Sequence, residues 1–208
     1  MKTCLICYHA NIKVIYKPEW IEQFKQSILN QTFKDFVIYE ICYNGGEDRI
    51  FENSIYESKK LPTFIHAMNY LIEKCLDDGA DVISNTNCDD NYSINWLKIQ
   101  LPFIKYFNFD IVSCNFTLIQ NDKPVHYHFF DKLNIKNELE RNNNIVAHPG
   151  VMYSRKFLEN NKYIPEEIPI EDLLLWKRTI DNYKFKIVEQ NLLWHRIHDN
   201  SVCKSTNR

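Results

Sequence analysis

Three short clusters in this sequence have the residue types that phosphate and proton chemistry use. Asn87-Cys88-Asp89-Asp90 directly follows an apolar run at residues 81–84, so two adjacent carboxylates stand where a buried strand ends. Ligands of open parallel sheets bind beyond the carboxyl ends of the strands, and carboxylate oxygens are hard donors suited to Mg²⁺ or Mn²⁺. Asn and Asp are equally at home in a turn that caps the next helix, so this cluster has a purely structural alternative. Glu171-Asp172 opens a second cluster, Glu171 to Arg178, in which an acidic pair at a helix start complements the helix dipole. The third is Trp194-His195-Arg196-Ile197-His198-Asp199-Asn200-Ser201. Read as extended chain, it puts Arg196 and His198 on one side and His195 and Ile197 on the other. A guanidinium and an imidazole on one face suit a diphosphate and its metal, although a solvated tail can carry the same residues.

These clusters need a frame. Residues 3–8 form a β-rich apolar run, and Pro18 then opens a helix with Trp20, Ile21, Phe24 and Ile28 on one face. Residues 36–42 predict a second strand, stopped by Asn44-Gly45-Gly46. A longer helix follows Leu61-Pro62-Thr63, with Phe64, Met68, Leu71, Ile72, Cys75 and Leu76 at helical spacing and Gly79 where a C-terminal cap belongs. Residues 81–84 predict the third strand. Strand, helix, strand, helix, strand is the order of a parallel sheet covered on both faces. The second half predicts a helix over 93–106, a hairpin of 110–120 and 125–130, a strand over 147–153, a helix over 171–181, and short strands at 185–188 and 192–194. The chain contains no internal repeat and no low-complexity linker, so one compact α/β unit over 1–208 is expected.

Composition narrows the function. Of 208 residues, 45% are hydrophobic and 14% aromatic, enough for a sizeable core and too many for disorder. The net charge of −2 offers no overall electrostatic footprint for nucleic acid or an anionic membrane. Four glycines leave little from which to build a phosphate-cradling loop. No run is long and apolar enough to span a bilayer, and residues 1–8 do not read as a signal peptide. Seven cysteines, an odd number scattered through apolar segments, favour free thiols in a reducing compartment such as the cytoplasm. Cys4 and Cys7 form a lone C-x-x-C whose two side chains would face opposite sides of a strand, as buried small hydrophobes.

Taken together and in this order, the clusters resemble the family 2 glycosyltransferases of the GT-A fold over nearly the whole chain. Residues 24–36 are similar to the family's S-x-x-x-Q helix end leading into the second strand, and Asn87-Cys88-Asp89-Asp90 to its D-x-D-D. Residues 147–155 resemble its G-x-x-x-x-R strand and turn. Glu171-Asp172, with Leu175, Trp176 and Arg178, resembles E-D-x-x-L-W-x-R, and residues 196–202 its R-x-H-x-x-S motif. The resemblance implies a mostly parallel central sheet flanked by helices, with a smaller antiparallel acceptor-side part. It implies a nucleotide-sugar half at about 1–92 and an acceptor half at about 93–208.

The resemblance also implies roles. An inverting transfer would use Asp172 as base for the acceptor hydroxyl and Mn²⁺ or Mg²⁺ on Asp89, Asp90 and His198 for the leaving diphosphate. Arg196 would add a cationic phosphate contact, Glu171 would orient the helix start or an acceptor hydroxyl, and Trp176 and Arg178 would support the site. Two departures stand out. Tyr43-Asn44-Gly45-Gly46-Glu47-Asp48 replaces the family's D-D-G-S-x-D, which shifts the expected base contact to Tyr43 or Asn44. Asn87 replaces the first acid of D-x-D-D, leaving an amide for ribose or metal. The expected partners are a nucleoside-diphosphate sugar and a glycan or other hydroxyl acceptor. The hairpin around His126 and His128 is a candidate contact for acceptor or for a second subunit in a homo-oligomer. The altered motifs also motivate an alternative, a non-catalytic domain of this fold that binds a sugar nucleotide or glycan.

Overall fold

Proline, threonine and glycine mark the helix ends. Pro18 occupies the first turn of its helix, where a missing N–H costs nothing, and the Thr63 hydroxyl accepts from the His66 N–H to start the next long helix. Gly79 ends that helix at φ +80°, a conformation that glycine adopts without steric cost. The computed structural model describes residues 1–128 and 134–201. In chain order its elements are β1 (Thr3–His9), α1 (Ile12–Ile15), α2 (Pro18–Leu29), β2 (Phe36–Cys42), β3 (Ile55–Ser58) and α3 (Phe64–Asp77). Next come β4 (Val82–Thr86), β5 (Asn91–Tyr92), α4 (Trp96–Lys105), β6 (Ile111–Gln120), β7 (Lys123–His128) and α5 (Ile135–Glu140). The last are β8 (Met152–Ser154), α6 (Arg155–Asn160), a 3-10 turn (Pro165–Glu167), α7 (Glu171–Thr179) and β9 (Phe185–Ile197).

All nine strands join one sheet in the order β3-β2-β1-β4-β8-β6-β9-β5, with β7 paired to β6. β1, β2 and β4 run parallel, as the alternating pattern of the first half predicts, and β3, a strand that pattern does not include, adds parallel to β2. β8 is the antiparallel hinge between β4 and β6, and β9 returns parallel to β6. Side-chain alternation then builds a core on each face. Cys4 and Ile6 pack with α3, α6 and α7, whereas Leu5 and Cys7 pack with α2 and α4. The six described cysteines are buried free thiols. Among the described residues no helix is long and apolar enough to cross a membrane.

Three expectations are corrected. The strand expected over 147–153 is only Met152–Ser154, because Gly150 at φ +75° bends the preceding residues into a loop. The two short strands expected after residue 184 are one continuous β9. Its register jumps from Val188 opposite Cys114 to Asn191 opposite Asn115, so Glu189 and Gln190 bulge out of the ladder without breaking it. The hairpin strand expected over 125–130 covers Lys123–His128, and Phe129 and Phe130 lie outside the described residues.

Gly150 and Gly79 make a controlled comparison. A Cβ on Gly150 would meet Tyr92 Cε1 at 3.1 Å and Trp96 Nε1 at 3.4 Å, whereas one on Gly79 would meet nothing within 4 Å. Gly79→Ala is therefore expected to lose only the backbone penalty, about 1–2 kcal/mol, and Gly150→Ala at least about 1 kcal/mol more. Denaturant titration of both variants checks this; equal losses would show that the Tyr92–Trp96 contact is not what requires glycine at 150.

Candidate active site

A cavity of about 780 Å³ opens where the carboxyl ends of β1, β2 and β4 face β6, β9 and the start of α7. That volume suits a nucleotide-sized ligand. Tyr8, Tyr16, Tyr43, Phe64 and Phe116 supply aromatic wall, and Asp89, Glu171 and Asp172 supply carboxylates. His9, His128, His148, His195 and His198 also line it, and among its described lining residues there is neither Lys nor Arg. Burial holds the His128 and His148 rings below the usual histidine range, so both are biased towards the neutral form.

The centre of the site is the junction between residues 89–90 and the end of β9. His198 Nε2 lies 3.0 Å from Asp89 Oδ2, one behind each half of the chain. Asp90 is turned away from the cavity and fully buried. Its carboxylate accepts from the Arg196 N–H at 2.8 Å and meets His195 Nδ1 at 3.0 and 3.1 Å. Burial raises its pKa, opposed by the neighbouring His195 ring. Asp90 is thus committed to holding β9, which leaves Asp89 and His198 as the facing donor pair. Among the described residues no three His, Cys, Asp or Glu side chains converge as a metal cage.

Arg196 and His198 both pack on the Trp20 ring and both reach Asp89, but they differ in what they present to the cavity. β9 ends at Ile197, and the chain then turns through the Ser201 hydroxyl, which accepts from the His198 N–H at 2.9 Å. Leu193, His195, Ile197 and His198 line the cavity. Arg196 is 4% exposed and is not among the lining residues. Its Nε donates to the Asp89 carbonyl at 3.0 Å and its terminal nitrogens to Gln23 and Asp122, with the guanidinium 4.7 Å from the Trp20 ring. Arg196 is a strut beneath Asp89, and its guanidinium does not line the cavity.

Tyr43 lines the cavity, but Asn44 does not. The Asn44 amide is spent on its own turn, donating to Asn11 Oδ1 and accepting from the Gly46 N–H. Asn87 lines the cavity and its Oδ1 accepts from the Tyr8 hydroxyl at 3.3 Å. Asp172, in the first turn of α7, accepts from the Leu173 N–H and from Asn144 Nδ2, each at 2.7 Å, which fixes the carboxylate at the cavity wall. Trp176 is fully buried in the core below, and Arg178 is paired with Glu167. Glu171, expected to orient the helix start or an acceptor hydroxyl, is 5% exposed and its Oε2 has no protein partner. Burial lifts its pKa to about 7.

No protein-family model matches the chain, and no curated protein matches it in sequence. Solved structures do. The crystal structure of Staphylococcus aureus TarS 1-349 in complex with UDP-GlcNAc superimposes with a TM-score of 0.74 at 15% identity, covering 100% of this chain and 62% of that one. The crystal structure of Staphylococcus aureus TarS 1-349 gives 0.71 at 16% identity, covering 94% of this chain and 60% of that one. The fold is GT-A-like. This chain spans about 60% of the length of those TarS 1-349 structures.

The raised Glu171 pKa makes stability pH-dependent. Between the ordinary carboxylate value and about 7 the folded chain holds a proton that the unfolded chain has released, so stability falls as pH rises through that window. Glu171→Gln removes this dependence, and by pH 8 the variant should gain up to roughly 3 kcal/mol relative to the parent's own change from pH 5. Thermal melts at the two pH values measure it; parallel curves for parent and variant would mean that Glu171 ionises normally.

Proposed function

We propose that this protein transfers a sugar from a nucleoside-diphosphate sugar to a hydroxyl acceptor with inversion at the anomeric carbon. The observation that carries this reading is one cavity in which the Asp89–His198 pair and the Asp172 carboxylate face a common space at the carboxyl ends of a GT-A-like sheet. The UDP-GlcNAc bound by TarS supports a nucleotide sugar as donor.

A diphosphate entering this cavity meets three carboxylates and no lysine or arginine among the described lining residues. Asp89 Oδ2 and His198 Nε2 supply one oxygen and one nitrogen donor, which fits a divalent cation that takes its remaining ligands from phosphate and water. Bound there, Mn²⁺ or Mg²⁺ would neutralise charge on the departing diphosphate. Arg196 keeps the Asp89 backbone in place from below. Tyr43 and Tyr16 offer aromatic surface for the nucleobase, and Asn87 offers an amide to the ribose. Asp172 accepts the acceptor's hydroxyl proton as the acceptor oxygen bonds to the anomeric carbon and the bond from that carbon to the diphosphate breaks. Asn144 holds the carboxylate in orientation for that transfer.

Donor affinity should require Mn²⁺ or Mg²⁺, and Asp89→Ala should abolish the metal-dependent part. His198→Ala should weaken it less, since a neutral imidazole contributes less charge than a carboxylate. Titration calorimetry with a panel of sugar nucleotides, with metal and with chelator, reads both. An equal or larger loss in the histidine variant would reverse the ranking.

Asp172→Asn separates catalysis from binding. It keeps the size and one hydrogen-bonding oxygen but cannot take a proton at neutral pH. Donor and metal should bind as in the parent while turnover, followed as nucleoside diphosphate released with an acceptor present, drops roughly 10²–10⁴-fold. Parental turnover would remove Asp172 from the chemistry; lost donor binding would move it to the donor site. A protein that only binds sugar nucleotides would release no diphosphate with any acceptor.

A further inference from the structure

The segment between β5 and β6 carries a feature that sugar transfer does not use. From Asn91 to Phe109 the chain has no acidic residue in nineteen positions, in a protein with 27 Asp and Glu. It contains Lys98 and Lys105, and it ends in Phe103, Tyr106, Phe107 and Phe109. A core segment would bury those rings. Here Tyr106 is 65% and Phe107 61% exposed at the end of α4, while Phe103 and Phe109 are half-buried beneath them. Phe103 lies 5.7 Å from Phe107 and 6.1 Å from Phe109 between ring centroids, so the rings form one cluster.

Lysines surround that cluster. Lys105 Nζ is 5.0 Å from the Tyr106 ring centre and Lys186 Nζ 5.6 Å from that of Phe103. Lys184 is exposed, and its carbonyl accepts from the Asp110 N–H immediately after Phe109. Asp110, which follows Phe109, is 7% exposed and is held by the Ser154 hydroxyl and the Lys184 N–H. The exposed acids Asp81 and Glu159 lie beside Lys156 of α6, on the other side of the sheet from α4, where Asp81 pairs with the Lys2 N–H and Glu159 with Arg155. Exposed aromatic rings ringed by lysine ammonium groups match a bilayer interface, where rings settle at headgroup depth and cations meet anionic lipid.

We propose that this face docks on an anionic lipid bilayer, with Tyr106 and Phe107 inserted among the headgroups and Lys105, Lys184 and Lys186 against lipid phosphate. The overall charge of −2 hides the patch because acids elsewhere in the chain cancel its lysines. The patch lies at the amino-terminal ends of β6 and β9, whereas Phe116, Leu118, His195 and Ile197 reach the cavity from the far ends of the same strands. Roughly 20 Å of strand separates them, so docking leaves the cavity mouth clear.

The test is co-sedimentation of the full chain with vesicles of equal parts phosphatidylglycerol and phosphatidylcholine, against phosphatidylcholine alone. The parent should pellet with the mixed vesicles and bind less as salt is raised. Tyr106→Ser/Phe107→Ser should bind at least about ten-fold more weakly, and Lys105→Glu at least about five-fold, with melting temperatures and sugar-nucleotide binding as in the parent. Three results would overturn the proposal. The parent stays in the supernatant at low salt; or the substituted chains pellet as well as the parent; or light scattering shows a parental dimer that the aromatic substitutions dissociate, which would assign the face to a second copy. Because the anionic-lipid and salt dependence is read on the parent, a variant that fails to fold leaves the test intact.

Discussion

The buried carboxylate of Asp90 is the constraint on which the rest of the site depends. A charge taken out of water must be paired or hydrogen-bonded, and Asp90 finds both needs met by one strand end, through the His195 ring and the Arg196 N–H. Withdrawing that partner would leave an uncompensated buried charge, a penalty of about 3–5 kcal/mol. The same contact sets the position of every neighbour. With Arg196 held by its backbone, its side chain reaches back to the Asp89 carbonyl and across to Asp122 and Gln23, and the turn that follows delivers His198 to Asp89. Asp122 sits in the β6–β7 turn at φ 59°, so that hairpin is tied into the same network.

This arrangement divides two adjacent acids into two jobs. Asp90 is spent on architecture, and Asp89, one residue earlier and 12% exposed at its side chain, faces the open cavity. The cavity wall otherwise offers carboxylates, aromatic rings and histidines whose burial favours the neutral form at two positions. Such a wall repels a free diphosphate and accepts one whose charge has been offset. That is the physical basis on which the proposed transfer is tied to a divalent cation rather than to fixed arginines.

Much of this was legible in the residues. The alternation of strands and helices in the first ninety residues, the Pro18 start, the Thr63 cap and the Gly79 stop all follow from local rules that the packing does not override. The positions of Asp89 at a strand end and Asp172 at a helix start were equally readable. What resisted reading depended on pairing between distant segments. The alternation of Leu193, His195 and Ile197 was visible, but nothing local says which face of β9 meets the cavity. The two-residue bulge at Glu189-Gln190 is set by the register with β6, so the polar stretch read as a break. Asn44 and Arg196 do not line the cavity, since their side chains are held by hydrogen bonds to Asn11 and Gly46 and to Asp89, Asp122 and Gln23, partners that the local sequence does not announce.

The distance along the chain between the two halves of the site has a kinetic meaning. Asp90 and Arg196 are 106 positions apart, and Asp89 and His198 are 109 apart. Contacts of such separation form late, because the entropy of closing the intervening loop is lost before the contact returns anything. The parallel β1–β4 layer can assemble from the first ninety residues while a ribosome is still extending the chain, but its Asp90 carboxylate has no partner until β9 emerges. A nascent chain released short of residue 198 would lack the strand end that Asp90 holds and would leave the apolar surface that it covers exposed, a species prone to aggregation. The donor pair of the site therefore forms only in a chain that has been translated through His198.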